Sequence, residues 1–179
     1  MKSIFSVRVL VFAAGAMLFS PALTNAASSP PTPFTLEDQV RHALLKLPYN
    51  GVFDNLQFSI DGTAVTLSGQ AHNYIVQRDA VSEIKHLAGI TAVNDQIEVL
   101  PLSPFDDTIR LQLFRSIYRD SALTRYQLIR VHPPIRFIVK NGNVTLVGVV
   151  DSEMDRNVIY DRAREVRNAF SVTNELQVQ

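Results

Sequence analysis

The most constraining feature of this sequence is an internal duplication with an offset of 79 residues. The stretch 58–69, Phe-Ser-Ile-Asp-Gly-Thr-Ala-Val-Thr-Leu-Ser-Gly, returns at 137–148 as Phe-Ile-Val-Lys-Asn-Gly-Asn-Val-Thr-Leu-Val-Gly. The same offset relates 87–99 to 166–178 without a gap. Repeat arrays of the solenoid kind have periods of roughly 20–50 residues. A longer repeat that occurs twice therefore predicts two copies of one small domain.

Residues 1–26 have the pattern of a secretory signal peptide. Two basic residues, Lys2 and Arg8, precede an apolar run of 11 residues from Val9 to Phe19, and small residues lead up to a cleavage site after Ala26. The run is shorter than the roughly 20 residues of a membrane-spanning helix, which argues against an uncleaved anchor. Because the chain has no cysteine, a lipoprotein anchor is also excluded. We therefore expect a cleaved, periplasmic protein.

The rest of the chain divides at proline-rich segments. We predict a flexible lead-in at 27–34, a first domain at 35–100, a linker at 101–105 and a second domain at 106–179. The lead-in contains Ala-Ser-Ser-Pro-Pro-Thr-Pro, which suits neither a helix nor a central strand. Domains of about 70 residues are marginally stable alone, and no disulfide can form here. This favours packing of the two copies on each other.

The first copy has the order α-β-β-α-β. Asp61-Gly62 lies between two strand-like runs and is typical of a tight hairpin. Gly89 suits the left-handed position that follows a helix. The predicted elements are a helix that starts after Thr35, strands at 56–60 and 64–68, a helix at 74–88 and a strand at 92–100.

The second copy repeats this order. Asn168 stands where the first copy has Gly89, and asparagine also tolerates the left-handed conformation. About ten extra residues fall within Ser121–Pro134, which we predict to be a long loop. The predicted elements are a helix from Asp106, a hairpin at Asn141-Gly142, a helix at 153–167 and a strand at 171–178.

The Val-Thr-Leu-x-Gly strand, the Val-x-x-x-Ile/Leu-x-Val final strand and the order α-β-β-α-β together resemble the BON domain of bacterial envelope proteins. The resemblance covers residues 35–179 as two tandem copies. It departs from the family's pattern at Ala64 and at Asn168-Ala169. It implies an α+β fold in which each domain has a small three-stranded mixed sheet packed by two helices.

No catalytic or metal-binding pattern is present. The four histidines stand in different elements at no ligand spacing, and no nucleophile elbow, phosphate loop or His-Glu-x-x-His motif occurs. We interpret Asp106-Asp107 as part of a helix start rather than as metal ligands. The sequence thus predicts a protein that is not an enzyme and has no cofactor.

Charge distinguishes the two copies. Residues 27–103 contain 4 basic and 8 acidic residues, whereas residues 104–179 contain 11 basic and 9 acidic ones. All but one of those 11 are arginine. An anionic partner would therefore bind the second copy. Nucleic acid is a poor candidate for an exported protein with no net basic excess.

The second helix of the second copy carries a candidate binding stripe. Ile159, Ala163, Val166 and Phe170 are expected to face the core. The adjacent stripe combines arginines with a tyrosine, which suits phosphate headgroups at a membrane interface. A solvated face, with Asp161 and Glu165 as partners of the arginines, would explain the same residues. The candidates are Arg156, Tyr160, Arg164 and Arg167, and weaker ones are Arg115, Arg119, Arg125 and Arg130.

The family resemblance implies peripheral binding to anionic phospholipid and a role in envelope integrity or stress tolerance. The alternative is a protein-interaction module that anchors or regulates another envelope component through exposed sheet edges or the Ser121–Pro134 loop. Exposure of the arginine stripe would favour docking, whereas its burial between the domains would make it structural.

Overall fold

The computed structural model describes residues 34–127 and 133–179. The predicted signal peptide at 1–26, all but the last residue of the lead-in at 27–34, and Arg130 lie outside this part of the chain. Within the described ranges, no helix has the length and apolar character needed to cross a bilayer. Phe34–Gln179 form one compact unit, which contains both copies.

Each copy folds into an α+β domain with a three-stranded mixed sheet, as the sequence predicts. The first domain consists of α1 (Leu36–Leu45), β1 (Asn55–Asp61), β2 (Ala64–Ala71), α2 (Tyr74–Lys85) and β3 (Ala92–Val99). The second consists of α3 (Pro104–Tyr118), a 3₁₀ turn (Ser121–Leu123), α4 (Thr124–Gln127), β4 (Ile135–Lys140), β5 (Asn143–Val150), α5 (Glu153–Arg164) and β6 (Ser171–Val178).

The duplication extends to strand register. In each sheet the first two strands form an antiparallel hairpin, and the third lies parallel to the second. Val65 lies opposite Val93 in the first sheet, and Val144 lies opposite Val172 in the second. Each residue of the second pair follows its counterpart in the first pair by 79 positions. The helix that joins each parallel pair packs on its strands, so each domain buries one sheet face beneath two main helices.

Alternating apolar residues of the middle strands form the centre of each core. In the first domain, Val65 and Leu67 pack with Ile84 of α2, and all three are fully buried. In the second domain, Leu146 of β5 packs with Ile159 of α5. Burial of each such side chain contributes about 2 kcal/mol.

The first hairpin turn is displaced by one residue from the sequence prediction, whereas the second lies at Asn141-Gly142 as predicted. In the first domain, Asp61 is the last strand residue and pairs with Ala64, so the turn is Gly62-Thr63 rather than Asp61-Gly62. Gly62 alone has positive φ, at 59°, which suits a type II′ turn. In the second domain, Asn141 and Gly142 both have positive φ, at 52° and 76°, as a type I′ turn requires.

The glycine of Val-Thr-Leu-x-Gly is required by a close backbone approach. A Cβ atom at Gly69 would lie 1.9 Å from the carbonyl oxygen of Asn55. A Cβ atom at Gly148 would lie 1.9 Å from the carbonyl oxygen of Pro134. No side chain can occupy these positions while the antiparallel strands keep their separation.

Helix ends show where the predictions hold and where they do not. Gly89 and Asn168 have φ of 89° and 71°, which confirms left-handed residues after α2 and α5. Both helices end three residues earlier than predicted. The helix α3 starts at Pro104, inside the predicted linker, because Ser103 caps it through a 3.1 Å bond from the Asp106 amide.

The side chain of Asp106 has another role than helix capping. It is fully buried, and its carboxylate accepts hydrogen bonds from the amides of Asn141 at 2.9 Å and Gly142 at 2.8 Å. One carboxylate thus fixes the β4–β5 turn against the start of α3. Asp106 is 35 and 36 positions away from Asn141 and Gly142, so local residue spacing could not reveal this contact.

The segment before β1 joins the two domains. The amide of Phe137 in β4 donates a 2.7 Å hydrogen bond to the carbonyl oxygen of Val52. The Phe53 ring lies 6.5 Å from the Phe137 ring, and both Val52 and Phe53 pack against the core of the second domain. Lys140 also pairs with Glu98 of the first domain. The two copies therefore pack on each other, as their small size favours.

Candidate functional site

The predicted stripe lies together on one flank of α5. Ser152 caps this helix, and Ile159, Ala163 and Val166 are buried on the side that faces the sheet. At 100° per residue, Arg156, Tyr160, Arg164 and Arg167 lie on the next flank. Arg164 and Arg167 are exposed, and the other two are half-buried. The stripe is thus accessible rather than enclosed between the domains.

Contacts within the helix involve three members of the stripe. Arg156 forms a 2.7 Å ion pair with Glu153, one turn earlier. The Arg164 guanidinium lies 5.6 Å from the centre of the Tyr160 ring, as in a cation–π contact. Arg167, beyond the end of α5, has no ion pair in the described part of the chain. The stripe is therefore partly neutralised by its own helix.

The opposite flank of α5 packs against α3. Arg162 forms ion pairs with Asp120 at 2.7 Å and with Glu165 at 3.3 Å. Ser116 of α3 donates a 3.4 Å hydrogen bond to the carbonyl oxygen of Arg162. The bond from Arg162 lowers the pKa of Asp120. Arg162 thus connects α5 with the end of α3.

The extra segment of the second domain is partly helical and contributes to the core, unlike the loop that the sequence predicts. Leu123 and Tyr126, from the 3₁₀ turn and α4, are buried in the second core. The Tyr126 hydroxyl donates to Asp155 Oδ2 at 2.8 Å and accepts from the Asp151 amide at 2.8 Å. The segment thus closes the core beside the start of α5.

Arg125 is held by two carboxylates. It binds the nearly buried carboxylate of Asp155, and its Nε lies 3.2 Å from Asp151. The Arg125 guanidinium is the main reason that the pKa of Asp155 lies below its usual value. Because these acids already neutralise it, Arg125 is poorly placed to bind a headgroup.

A second surface lies on the outer side of α3. Leu111 and Phe114 expose 47% and 37% of their surface although they belong to a helix of the domain core. Arg115 and Arg119 are exposed beside them, and neither has an ion pair in the residues that the structure describes. We call these four residues the α3 outer face. It combines exposed apolar side chains with two arginines that form no ion pair within the described ranges.

Sequence reasoning gave Arg115 and Arg119 low weight and missed Leu111 and Phe114. The sequence did contain a signal for the apolar side of the α3 outer face, because Ile109, Leu113 and Ile117 already complete the buried stripe of α3. Two further large apolar residues on such a helix indicate a second apolar side.

The expectation that Phe170 faces the core is wrong. Phe170 is 74% exposed, and its ring lies 5.7 Å from that of Phe105. The chain turns at Asn168 after α5, so the helical periodicity that suggested burial no longer applies at Phe170. Its ring instead covers Gly142 at the β4–β5 turn.

The described residues offer no assembled metal site: no group of three or more His, Cys, Asp or Glu side chains converges there. His72 has polar contacts at both ring nitrogens. Its Nδ1 lies 2.7 Å from buried Asp54, and its Nε2 lies 2.7 Å from the Asn73 amide nitrogen. Asn73 caps α2 through its other side-chain atom. This arrangement fixes the start of α2 and brings no nucleophile to the imidazole.

Comparison with known proteins points to one family. The sequence model of the BON domain matches residues 34–101 and 120–179. A search of curated proteins finds no match. Two solved structures of CdsD, a structural protein of the Type III secretion system of Chlamydia trachomatis, are similar at 10% and 12% identity. They cover 80% and 83% of this chain and 92% and 99% of their own, with a TM-score of 0.30 in each case.

Proposed function

Because the chain belongs to the BON domain family, we propose that it is a non-catalytic envelope protein whose second domain docks on anionic phospholipid surfaces. Docking of this kind is peripheral and supports envelope integrity or stress tolerance. The predicted signal peptide at 1–26 would deliver the protein to the periplasm.

The observation that carries the proposal is the α3 outer face. Leu111 and Phe114 can enter the boundary between headgroups and acyl chains, while Arg115 and Arg119 stay at the level of the phosphates. Arginine binds phosphate oxygens through two parallel N–H groups. Helix-borne apolar and basic residues side by side are typical of proteins that lie on a membrane surface.

The arginine stripe of α5 supplies a second set of contacts in the same proposal. Its members, Arg156, Tyr160, Arg164 and Arg167, lie on a helix of the same layer as α3. Its charge is more fully paired, so we expect it to contribute less than the α3 outer face. Each arginine near an anionic surface contributes about 1 kcal/mol. Binding should therefore weaken strongly as salt rises.

Co-sedimentation with vesicles tests the proposal and separates the two surfaces. The chain from Ala27 onward is mixed with phosphatidylglycerol vesicles or with phosphatidylcholine vesicles at low salt. We expect binding to the anionic vesicles alone, and at least a tenfold loss in Arg115→Glu/Arg119→Glu. Arg156→Glu/Arg164→Glu/Arg167→Glu should show a smaller loss.

A matched control comes from the first domain. Arg78→Glu/Lys85→Glu makes the same change in charge as the α3 double variant, on the exposed side of α2. If this control loses binding equally, net charge alone explains the effect and the α3 outer face is not the site. Absence of anionic binding by the unmodified protein would refute lipid docking.

The alternative function is a protein-interaction module that anchors or regulates another envelope component. The open outer edge of β1 favours it, because an extended segment can add a strand at such an edge. Specific capture of an envelope protein by a variant that no longer binds vesicles would support this alternative over lipid docking.

A further inference from the structure

The outer edge of β1 carries backbone groups that face away from the sheet. Asp61 and Ala64 flank the hairpin turn and form a hydrogen-bonded pair. Because hydrogen-bonded and non-hydrogen-bonded pairs alternate along an antiparallel ladder, every second residue of β1 before Asp61 also bonds to β2. The intervening residues, Leu56, Phe58 and Ile60, direct their N–H and C=O groups outward. None of these groups has a hydrogen-bond partner in the described part of the chain.

The equivalent edge in the second domain is covered. The outward residues of β4 are Ile135, Phe137 and Val139. The carbonyl oxygen of Ile135 accepts from the Tyr118 hydroxyl at 2.7 Å, and that of Val139 accepts from Arg110 at 2.7 Å. The Phe137 amide donates to Val52 at 2.7 Å. Among the described residues, three different groups thus bond to the outer edge of β4, and none bonds to the outer edge of β1.

The reason lies in two positions that carry the same residue type in both copies but make different contacts. Arg41 stands where the second domain has Arg110, but it pairs with Glu37 and lies over the Phe58 ring, 5.6 Å from its centre. Tyr49 stands where the second domain has Tyr118, but α1 ends at Leu45 and leaves Tyr49 exposed. A groove of about 590 Å³ remains between α1 and the β1 edge.

This edge also lacks the usual protection against pairing. Soluble proteins block exposed strand edges with lysine, proline or a covering segment. The strand Asn55–Asp61 contains no lysine or proline, and its one charged residue is at the end. A strand of seven residues is long enough to support a stable ladder with another strand.

We propose that β1 pairs antiparallel with β1 of a second copy of this chain, which joins two three-stranded sheets into one of six strands. The two-fold axis passes beside Phe58, so each Phe58 lies opposite its counterpart and each Leu56 lies opposite Ile60. Their outward backbone groups then bond one another across the axis, and the interface is isologous.

The strand is self-complementary in this register. On the face away from α1, Gln57 lies opposite Ser59 and Asn55 lies opposite Asp61, so no like charges meet. On the other face, each α1 brings one Glu37 and one Arg41 to the seam, and these pairs can exchange partners between copies. A second copy fits this edge through both its apolar pattern and its charge balance.

Cysteine cross-linking tests the register directly, because the natural chain has no cysteine. Gln57 and Ser59 of different copies would form a non-hydrogen-bonded pair with Cα atoms about 4.5 Å apart, within the range of a disulfide. We expect a mixture of Gln57→Cys and Ser59→Cys proteins to cross-link on oxidation. Either protein alone should cross-link far less, because its own cysteines lie on a diagonal about 7–8 Å apart.

Sedimentation equilibrium of the chain from Ala27 onward provides the second test. Gln57→Lys/Ser59→Lys places two pairs of like charges across the axis and should raise the dimer Kd at least tenfold. Gln57→Lys/Ser59→Glu places opposite charges there and should keep the dimer. Gln57 and Ser59 are exposed in the single chain, so we expect each variant to fold. Circular dichroism checks that it does.

A protein that stays monomeric at all concentrations would overturn the proposal. So would a dimer that tolerates the double-lysine change or whose mixed cysteine variants do not cross-link. Neither outcome bears on lipid docking, which uses the second domain.

Discussion

At the scale of single residues, Gly69 and Gly148 are the least replaceable positions in the motif that defines the repeat. We predict that Gly148→Ala lowers the free energy of unfolding by more than about 4 kcal/mol, because its Cβ would lie 1.9 Å from the Pro134 carbonyl oxygen. Urea denaturation measures the change. Gly62→Ala is the matched control, since Gly62 also has positive φ but open space around it.

The control should lose only about 1–2 kcal/mol, the strain of a left-handed alanine. Equal losses in both variants would mean that conformation alone, and not the close approach of β4 to β5, requires glycine at 148.

Asp155 makes a prediction about pH. Because Arg125 holds the folded-state pKa of this carboxyl below its value of about 3.9 in the unfolded chain, the ion pair stabilises the fold fully above about pH 4. That contribution is lost as pH falls through the folded-state pKa. We expect Asp155→Asn to cost about 2 kcal/mol at pH 7.

The difference between Asp155→Asn and the natural protein should shrink as urea denaturation is repeated at successively lower pH below 4. Asp161→Asn, at an exposed position of the same helix, should show little difference at any pH. A gap between Asp155→Asn and the natural protein that persists at the lowest pH would contradict an ionic origin.

At the scale of secondary structure elements, the Tyr126 hydroxyl links α4 to the start of α5 and to the end of β5. Tyr126→Phe removes the bonds to Asp155 and to the Asp151 amide while it keeps the ring in the core. We predict a loss of about 1–3 kcal/mol, because buried polar groups are left without partners. Thermal unfolding measures it, with Tyr160→Phe on α5 as the control, since no hydrogen bond of the Tyr160 hydroxyl occurs in the described residues. Similar melting temperatures for the two variants would show that the hydroxyl contributes nothing.

Elements with strong periodicity could be predicted from sequence, whereas short elements could not. Alternation and turn dipeptides located all six strands of the described ranges, because one face of each sheet is buried. The four-residue helix α4 has too few positions to show a period, and Pro133-Pro134 nearby suggested a loop. Its burial depends on Asp155, about thirty positions away, and local pattern carries no information about such a partner.

The candidate site was predicted in part for a similar reason. Helical spacing placed Arg156, Tyr160, Arg164 and Arg167 on one flank of α5, and it does so in the structure. It did not identify Glu153 as the partner of Arg156, and it could not show that Arg125 is held by two acids. Ion pairs depend on side-chain direction and on contacts between elements, which composition does not specify.

At the scale of the whole molecule, the first domain completes the second. We predict that a fragment of residues 103–179 is less stable than the same domain within the full chain, by about 2 kcal/mol. The fragment lacks the Val52 carbonyl that accepts from the Phe137 amide and the Phe53 ring that covers Phe137. Hydrogen exchange at Phe137 reports this contact and should become faster in the fragment.

Phe53→Ala in the full chain is a milder form of the same experiment. It keeps the backbone bond and should therefore lose less protection at Phe137 than the fragment does. Unchanged exchange in the fragment would mean that the second domain does not depend on the segment before β1.

The position of Val52–Phe53 in the chain also has a consequence for biogenesis. Synthesis proceeds from the amino terminus, and domains generally fold in that order. The segment that covers β4 is therefore already in place when the second domain emerges, so β4 need not remain an open edge while it waits for a cover. The β1 edge emerges first and has no such cover in the part of the chain that the structure describes, so it is open to pairing with another strand from the earliest stage of synthesis.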